Sequence, residues 1–204
     1  MKPLPALKLG PDVVQLLLPH RRPLLMVDGV TGYERGPVPT LRACRHISPN
    51  EEVFAGHFPG LHLWPGVYVI EGMGQSCNLL EILWNLQDGW ESHGGDPEQP
   101  LAALRNLEQG FRLQPGYRAE ASAELIAVLD DVGLRMGYSA AVDVKLLLPV
   151  FAGQRIDYHV RRTHKADRIL RHEVEAEVEG KLVAKGVMHG ARGLPFPSLP
   201  KRGA

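Results

Sequence analysis

The stretch "WPGVYVIEGMGQSCNLLEILW", residues 64–84, decides the fold. Val67, Val69, Ile70, Met73, Leu79, Leu80, Ile82 and Leu83 fall all round a helix of 3.6 residues per turn. A helix that is apolar on every side belongs inside a domain. It carries too many polar residues for a bilayer span, and the chain has no run of about 18 apolar residues anywhere. Pro65 suits the first turn, where its missing N–H costs nothing, and the helix is expected to run from Pro65 to about Leu86.

Glu71 stands out in this stretch. Together with Gln75 and Asn78 it holds positions i, i+4 and i+7, which form one helical stripe. A carboxyl on a buried helix has to be paired or protonated, because loss of water disfavours its charged form. Two readings follow. Glu71 pairs with an arginine and locates the helix, or it stays protonated and serves as a general acid near neutral pH. At the helix entrance Gly66 lets a ligand approach the backbone, and free N–H groups there attract a carbonyl oxygen gaining negative charge. Fourteen residues before Glu71 stands His57, in the turn "GHFPG", residues 56–60.

Working outward, residues 11–18 open a short helix with Val13, Leu16 and Leu17 on one face. Residues 24–36 and 40–47 read as a pair of strands, the second alternating Leu41, Ala43, Arg45 and Ile47 against Arg42, Cys44 and His46. Residues 87–100 are a loop by composition and 101–109 a short helix, while 119–131 fits helix or strand and is read here as a helix. From about Tyr138 the pattern turns to strands. Residues 139–149 form one; in 155–162 Ile156, Tyr158 and Val160 point inward. Residues 171–190 alternate strictly, Glu173, Glu175, Glu177 and Glu179 against Val174, Ala176 and Val178, with a turn at Glu179-Gly180-Lys181. The glutamates are expected on a wet sheet face across from Arg155, Arg161 and Arg171. The sum is an α+β fold, an antiparallel sheet around one long buried helix.

Composition narrows the function. The 204 residues suit one ample core. Lys plus Arg equals Asp plus Glu at 23 each, so no global basic field for nucleic acid exists. Cys44 and Cys77 form no CxxC pair and are expected to be reduced thiols. Prolines interrupt the N-terminus where a signal peptide needs an apolar run, so a cytoplasmic protein is expected. The nine histidines show no HExxH or paired Cys/His spacing, so no metal site is expected.

"LPHRRPLLMVD" (18–28), "GHFPG" (56–60) and "PGVYVIEGMGQ" (65–75) stand in order, with "DVKLLLPVFAGQRIDYHV" and "VEGKLVAKGVM" behind them. In this combination the chain resembles the FabZ-type (3R)-hydroxyacyl-acyl-carrier-protein dehydratases, which have the hot-dog fold. The likeness covers roughly residues 12–86 and 138–190. It implies a single hot-dog domain over residues 1–190, with an insertion at 87–137, and a flexible tail at 191–204. It implies a lyase of fatty-acid or polyketide-like biosynthesis that dehydrates (3R)-3-hydroxyacyl thioesters to trans-2-enoyl thioesters. It implies that His57 and Glu71 are catalytic and meet across a homodimer, or a dimer-based oligomer.

The chemistry adds Gly66 as a backbone donor to the thioester carbonyl, no cofactor beyond the phosphopantetheine that carries the substrate, and Phe54, Phe58, Trp64, Val67 and Gln75 at the acyl chain. The partner is acyl carrier protein or acyl-CoA. Only Lys145 precedes Leu146-Leu147-Leu148 where the family has more basic residues, so either carrier docking is expected at others, such as Arg155, Arg161 or Arg162, or it is weakened and a different thioester carrier is used. The insertion is expected to cap the tunnel mouth or the carrier site. Two other readings stay open: a thioesterase of the same fold, and a non-catalytic acyl-thioester-binding subunit.

Overall fold

The computed structural model describes residues 4–114, 117, 138–166 and 169–191. One helix, α2 (Gly66–Ser92), lies against a seven-stranded antiparallel sheet. In chain order the elements are β1 (Ala6–Leu9), α1 (Pro11–Leu17), β2 (Gly29–Glu34), β3 (Thr40–His46), α2, α3 (Gln99–Leu113), β4 (Tyr138–Leu146), β5 (Arg155–Ala166), β6 (Ile169–Val178) and β7 (Lys181–Ala191). The sheet order is β1-β2-β3-β5-β6-β7-β4. β4 therefore crosses to the far side and forms one edge, paired only with β7 among the described strands.

The inward residues of β3, β5 and β6 close on α2. Leu41 and Ala43, then Ile156, Tyr158 and Val160, then Val174, Ala176 and Val178 are all buried. They meet Met73, Leu79, Leu80 and Leu83 of the helix in one core. The period-two readings hold, and β6 and β7 join through a turn in which Glu179 and Gly180 both take positive φ. The fit of helix to sheet is tightest at Gly72: a methyl group there would lie 2.1 Å from the Tyr158 hydroxyl. Burial pushes that phenol's pKa well up. On the outer face Glu173 is hydrogen-bonded by Arg161 and Arg171, and these two guanidinium groups hold its carboxyl below the usual carboxylate range.

Several boundaries differ from the sequence reading. β1 is an additional strand, pairing with β2. On α1, Val14 is buried and Leu16 is exposed. α2 continues to Ser92, six residues beyond its expected end, because its last turns have partners. The Tyr33 hydroxyl donates to Gln87 Oε1 at 2.8 Å, and Arg35 reaches Glu91 at 2.6 Å and Asp88 at 3.3 Å. The loop that follows is correspondingly shorter, and α3 is longer than expected. α3 packs against α1, α2 and β1 through Leu101, Leu104 and Leu107. The helix read at 119–131 and the tail at 191–204 lie outside the described residues, apart from Ala191. No helix among the described residues is long and apolar enough to cross a membrane.

Candidate active site

A cleft of about 450 Å³ opens between the polar stripe of α2 and the β4–β7–β6 side of the sheet. Glu71, Gln75 and Asn78 line it, as their spacing predicts. Gln75 is the keystone of this stripe. Its Oε1 accepts the Met26 N–H at 2.8 Å, and its Nε2 donates to the Leu24 carbonyl and, at 2.9 Å, to Glu71 Oε1. One amide thus fixes the 24–26 segment to the helix and aims the Glu71 carboxylate. His20, from "PHRRP", brings Nε2 to 3.5 Å from the same carboxylate oxygen.

The burial expected of Glu71 is not supplied by one copy of the chain. Its side chain keeps 41% of its exposure, because it faces the cleft at the β4 edge and not the sheet. Nor does it pair with an arginine among the described residues; Gln75 and His20 stand in that place.

His57 is half-buried in the turn before α2. Its Nδ1 lies 3.1 Å from the Leu63 carbonyl oxygen, and its ring stacks on Phe58 at 4.3 Å. The turn is anchored in two places: Trp64 N–H donates to the Val150 carbonyl at 2.8 Å, and Ala152 N–H to that of His62 at 3.0 Å. His57 does not line the cleft that holds Glu71 in the same copy.

The other expected site residues separate into two groups. Phe54 and Trp64 belong to the core, ring against ring at 5.9 Å, and line no part of the cleft. Phe58 is 50% exposed and Val67 68%, both on the surface near the helix entrance. At Gly66 the space a side chain would take is filled by Leu146 of β4: a methyl group would lie 2.3 Å from its Cδ1. The residue is small for packing reasons as well as for access. Its N–H belongs to the first turn, where a helix supplies no internal acceptor.

The sequence reading passed over a second acid on α2. Glu81 continues the stripe of Glu71, Gln75 and Asn78 by three more residues and lines the same cleft. It is 3% exposed and meets Arg162 Nη1 at 2.9 Å and His172 Nε2 at 2.8 Å. The Arg162 guanidinium also lies over the Trp84 ring, 4.4 Å from its centre. Arg162 is therefore a buried partner of Glu81 and not a surface docking residue, because it falls on the inward parity of β5 with Ile156, Tyr158 and Val160. Arg155 and Arg161 do face solvent, engaged with Asp157 and Glu173. The signal for this cluster was present: polar residues at inward positions of β5 and β6 need a buried partner. No described residue of α3 lines the cleft. Cys77 does line it, but burial pushes its thiol up, away from the thiolate that would be reactive. Among the described residues, no group of three or more His, Cys, Asp or Glu side chains is placed to hold a metal ion.

Known proteins resemble this chain along most of its length. Residues 18–102 match the FabA-like domain. A 3-hydroxyacyl-acyl-carrier-protein dehydratase FabZ from Neisseria meningitidis serogroup C is 37% identical over 123 residues, covering 59% of this chain and 76% of the relative. A FabZ from Anaeromyxobacter sp. is 29% identical over 175 residues, covering 85% of this chain and 84% of its own. Among solved structures, a chain of the dehydratase heterocomplex ApeI:P from Xenorhabdus doucetiae superposes with a TM-score of 0.53 at 15% identity, over 89% of this chain and 91% of that one. That likeness shows the hot-dog fold.

Proposed function

This chain belongs to the FabZ-type 3-hydroxyacyl-acyl-carrier-protein dehydratase family, and we propose that its active site is built from His57 of one copy and Glu71 of a second. The reaction is loss of water from a (3R)-3-hydroxyacyl thioester. His57 removes the C2 proton, the C2–H electron pair becomes the C2–C3 double bond, and the C3 hydroxyl leaves as water with a proton from Glu71. With the Nδ1 proton donated to the Leu63 carbonyl, the lone pair of Nε2 is left to act as the base. A backbone N–H at the entrance of α2, that of Gly66, polarises the thioester carbonyl and makes the C2 proton acidic. One such donor contributes about 2.7–4 kcal/mol. Each positioned proton-transfer group contributes roughly 10²–10⁴-fold. The elimination breaks the C2–H and C3–O bonds with no net oxidation or reduction, so it calls on no redox group; the phosphopantetheine arm belongs to the substrate.

The observation that carries this reading is the Glu71 carboxyl on the wall of a cleft, held by Gln75 and still half-exposed. A second copy supports it. β4 is a sheet edge with exposed Val142 and Leu146, followed by exposed Leu147 and Leu148. A long apolar edge of this kind pairs readily with another strand. Pairing of β4 with its counterpart in a partner would bring the partner's helix entrance, with its His57, Phe58 and Val67, towards Glu71 and withdraw that carboxyl from water. The carrier is acyl carrier protein, and the setting cytoplasmic.

The test is turnover of 3-hydroxyacyl and 2-enoyl thioesters on carrier protein and on coenzyme A, with wild type, His57→Ala and Glu71→Gln. Interconversion of the two thioesters by wild type, lost in both variants, is expected. Release of free acid would instead mark a thioesterase, and binding without turnover an acyl-thioester-binding subunit.

A further inference from the structure

A carboxyl that donates a proton has two oxygens, and the surroundings of Glu71 treat them differently. Oε1 receives the Gln75 Nε2–H at 2.9 Å and faces His20 Nε2 at 3.5 Å. Oε2 carries no hydrogen bond or ion pair among the described residues. His20 and Glu71 line the same cleft. A braced segment delivers the imidazole. Arg21 Nη1 donates to the His20 carbonyl at 2.7 Å and to that of Leu18 at 2.9 Å, and the Leu24 N–H closes the turn on the Arg21 carbonyl at 2.9 Å. Gln75, bonded to Leu24 and Met26, thus fixes both the acid and the segment that carries the imidazole.

The two ring nitrogens differ as well. Nδ1 is covered and has no partner among the described residues. With its hydrogen on Nε2, the neutral ring donates towards Oε1. With the hydrogen on Nδ1, it would bury an unpaired donor and turn a lone pair on the carboxyl oxygen. A charged ring would bury the same unpaired Nδ1–H. The hydrogen therefore belongs on Nε2, the nitrogen that faces Glu71. The gap is wider than a formed hydrogen bond by about 0.5 Å, as catalytic contacts often are before substrate binds.

A carboxyl oxygen offers about two lone-pair positions. With two N–H donors on Oε1, no place is left there for the acidic proton. We infer that His20 is a positioning residue for the dehydration: with Gln75 it reserves Oε1 as an acceptor and keeps the proton of Glu71 on Oε2. It also shares the negative charge that grows on the carboxyl as that proton passes to the leaving hydroxyl. This rests on the dehydratase reading above, in which Glu71 is the acid. A donor aimed at charge that develops in the transition state acts on kcat more than on KM.

The experiment measures kcat and KM for dehydration of a 3-hydroxyacyl-pantetheine thioester. His20→Gln sets an amide nitrogen as many bonds from Cβ as the imidazole Nε2. His20→Asn sets one where Nδ1 stands, and His20→Phe keeps a ring without nitrogens. His20→Phe and His20→Asn should each lower kcat by about tenfold or more with little change in KM, and His20→Gln should recover most of that loss. In Glu71→Gln chains, His20→Phe should lower the residual kcat no further, because the group it positions is gone. Equal kcat in all three variants, or the same fold-loss repeated in Glu71→Gln chains, overturns the inference and leaves the dehydratase reading standing. Wild type that dehydrates no 3-hydroxyacyl thioester sinks that reading and this inference with it. If His20→Phe fails to fold, the ratio of kcat between His20→Gln and His20→Asn decides.

Discussion

Two carboxylates on one helix stripe have opposite surroundings. Glu71 keeps 41% of its side-chain exposure and is held by a neutral amide, with His20 Nε2 at 3.5 Å. Glu81, ten residues along, is 3% exposed and bonded to a guanidinium and an imidazole at 2.9 and 2.8 Å. A buried ion pair with its bonds made is locked into the structure, and removing one partner strands the other. A carboxyl aimed by one amide into open space is held but not committed. The same residue type on the same face therefore does two jobs. The surroundings make Glu71 the acid suited to proton transfer and Glu81 the acid that structures the far wall.

The contrast can be broken by exchanging loss of activity for loss of stability. Glu71→Gln should lower turnover by roughly 10²–10⁴-fold, while its unfolding free energy changes by no more than about 0.5 kcal/mol. A large loss of stability there would place Glu71 among the structural residues. Glu81→Ala should do the reverse in kind, costing about 3–5 kcal/mol in urea unfolding, because Arg162 is left buried without its carboxylate. If Glu81→Ala unfolds at the wild-type midpoint, the cluster is not a structural unit.

Gln75→Ala sits between the two. It leaves the buried Met26 N–H without its acceptor, at a cost of about 1–3 kcal/mol, and it frees Glu71, so kcat should fall along with stability. A fall in stability with kcat intact would mean that Glu71 needs no positioning.

The smallest effect belongs to the outer sheet face. Glu173→Gln should cost about 0.2–1 kcal/mol near neutral pH, as exposed ion pairs do. The folded-state pKa of Glu173 is lowered by Arg161 and Arg171, so its stabilisation is present above the usual 4.5 and fades as pH falls through the lower folded value. Wild type and variant should therefore converge in acid; a gap that persists there would assign the loss to packing.

What could be read from the sequence follows from the range of the forces. The body of α2 and the β6–β7 hairpin were legible because periodicity is local: eight apolar residues surround the helix, and Glu173, Glu175 and Glu177 alternate against Val174, Ala176 and Val178. The last turns of α2 were not, because Gly89 and its polar neighbours read as a loop while Tyr33 and Arg35 hold them from 54–56 residues away. β1 is only four residues long, too short for its pattern to register. At the site, the stripe showed Glu71 and Gln75 together, but His20 meets Glu71 across 51 positions, and "PHRRP" by itself says only that a helix stops. Glu81, Arg162 and His172 are 81 and 91 positions apart in sequence. Two hints were local all the same: Glu81 stands on the stripe, and Arg162 and His172 occupy inward positions of their strands.

Subunit complementation tests the two-copy active site most directly. His57→Ala and Glu71→Gln chains, each inactive alone, are co-refolded in equal amounts and assayed for 3-hydroxyacyl thioester dehydration. If His57 and Glu71 come from different copies, half of the dimers carry one intact site, and about a quarter of wild-type turnover returns. Mixed dimers that form and stay inactive would contradict the account, since both groups would then have to come from the same chain.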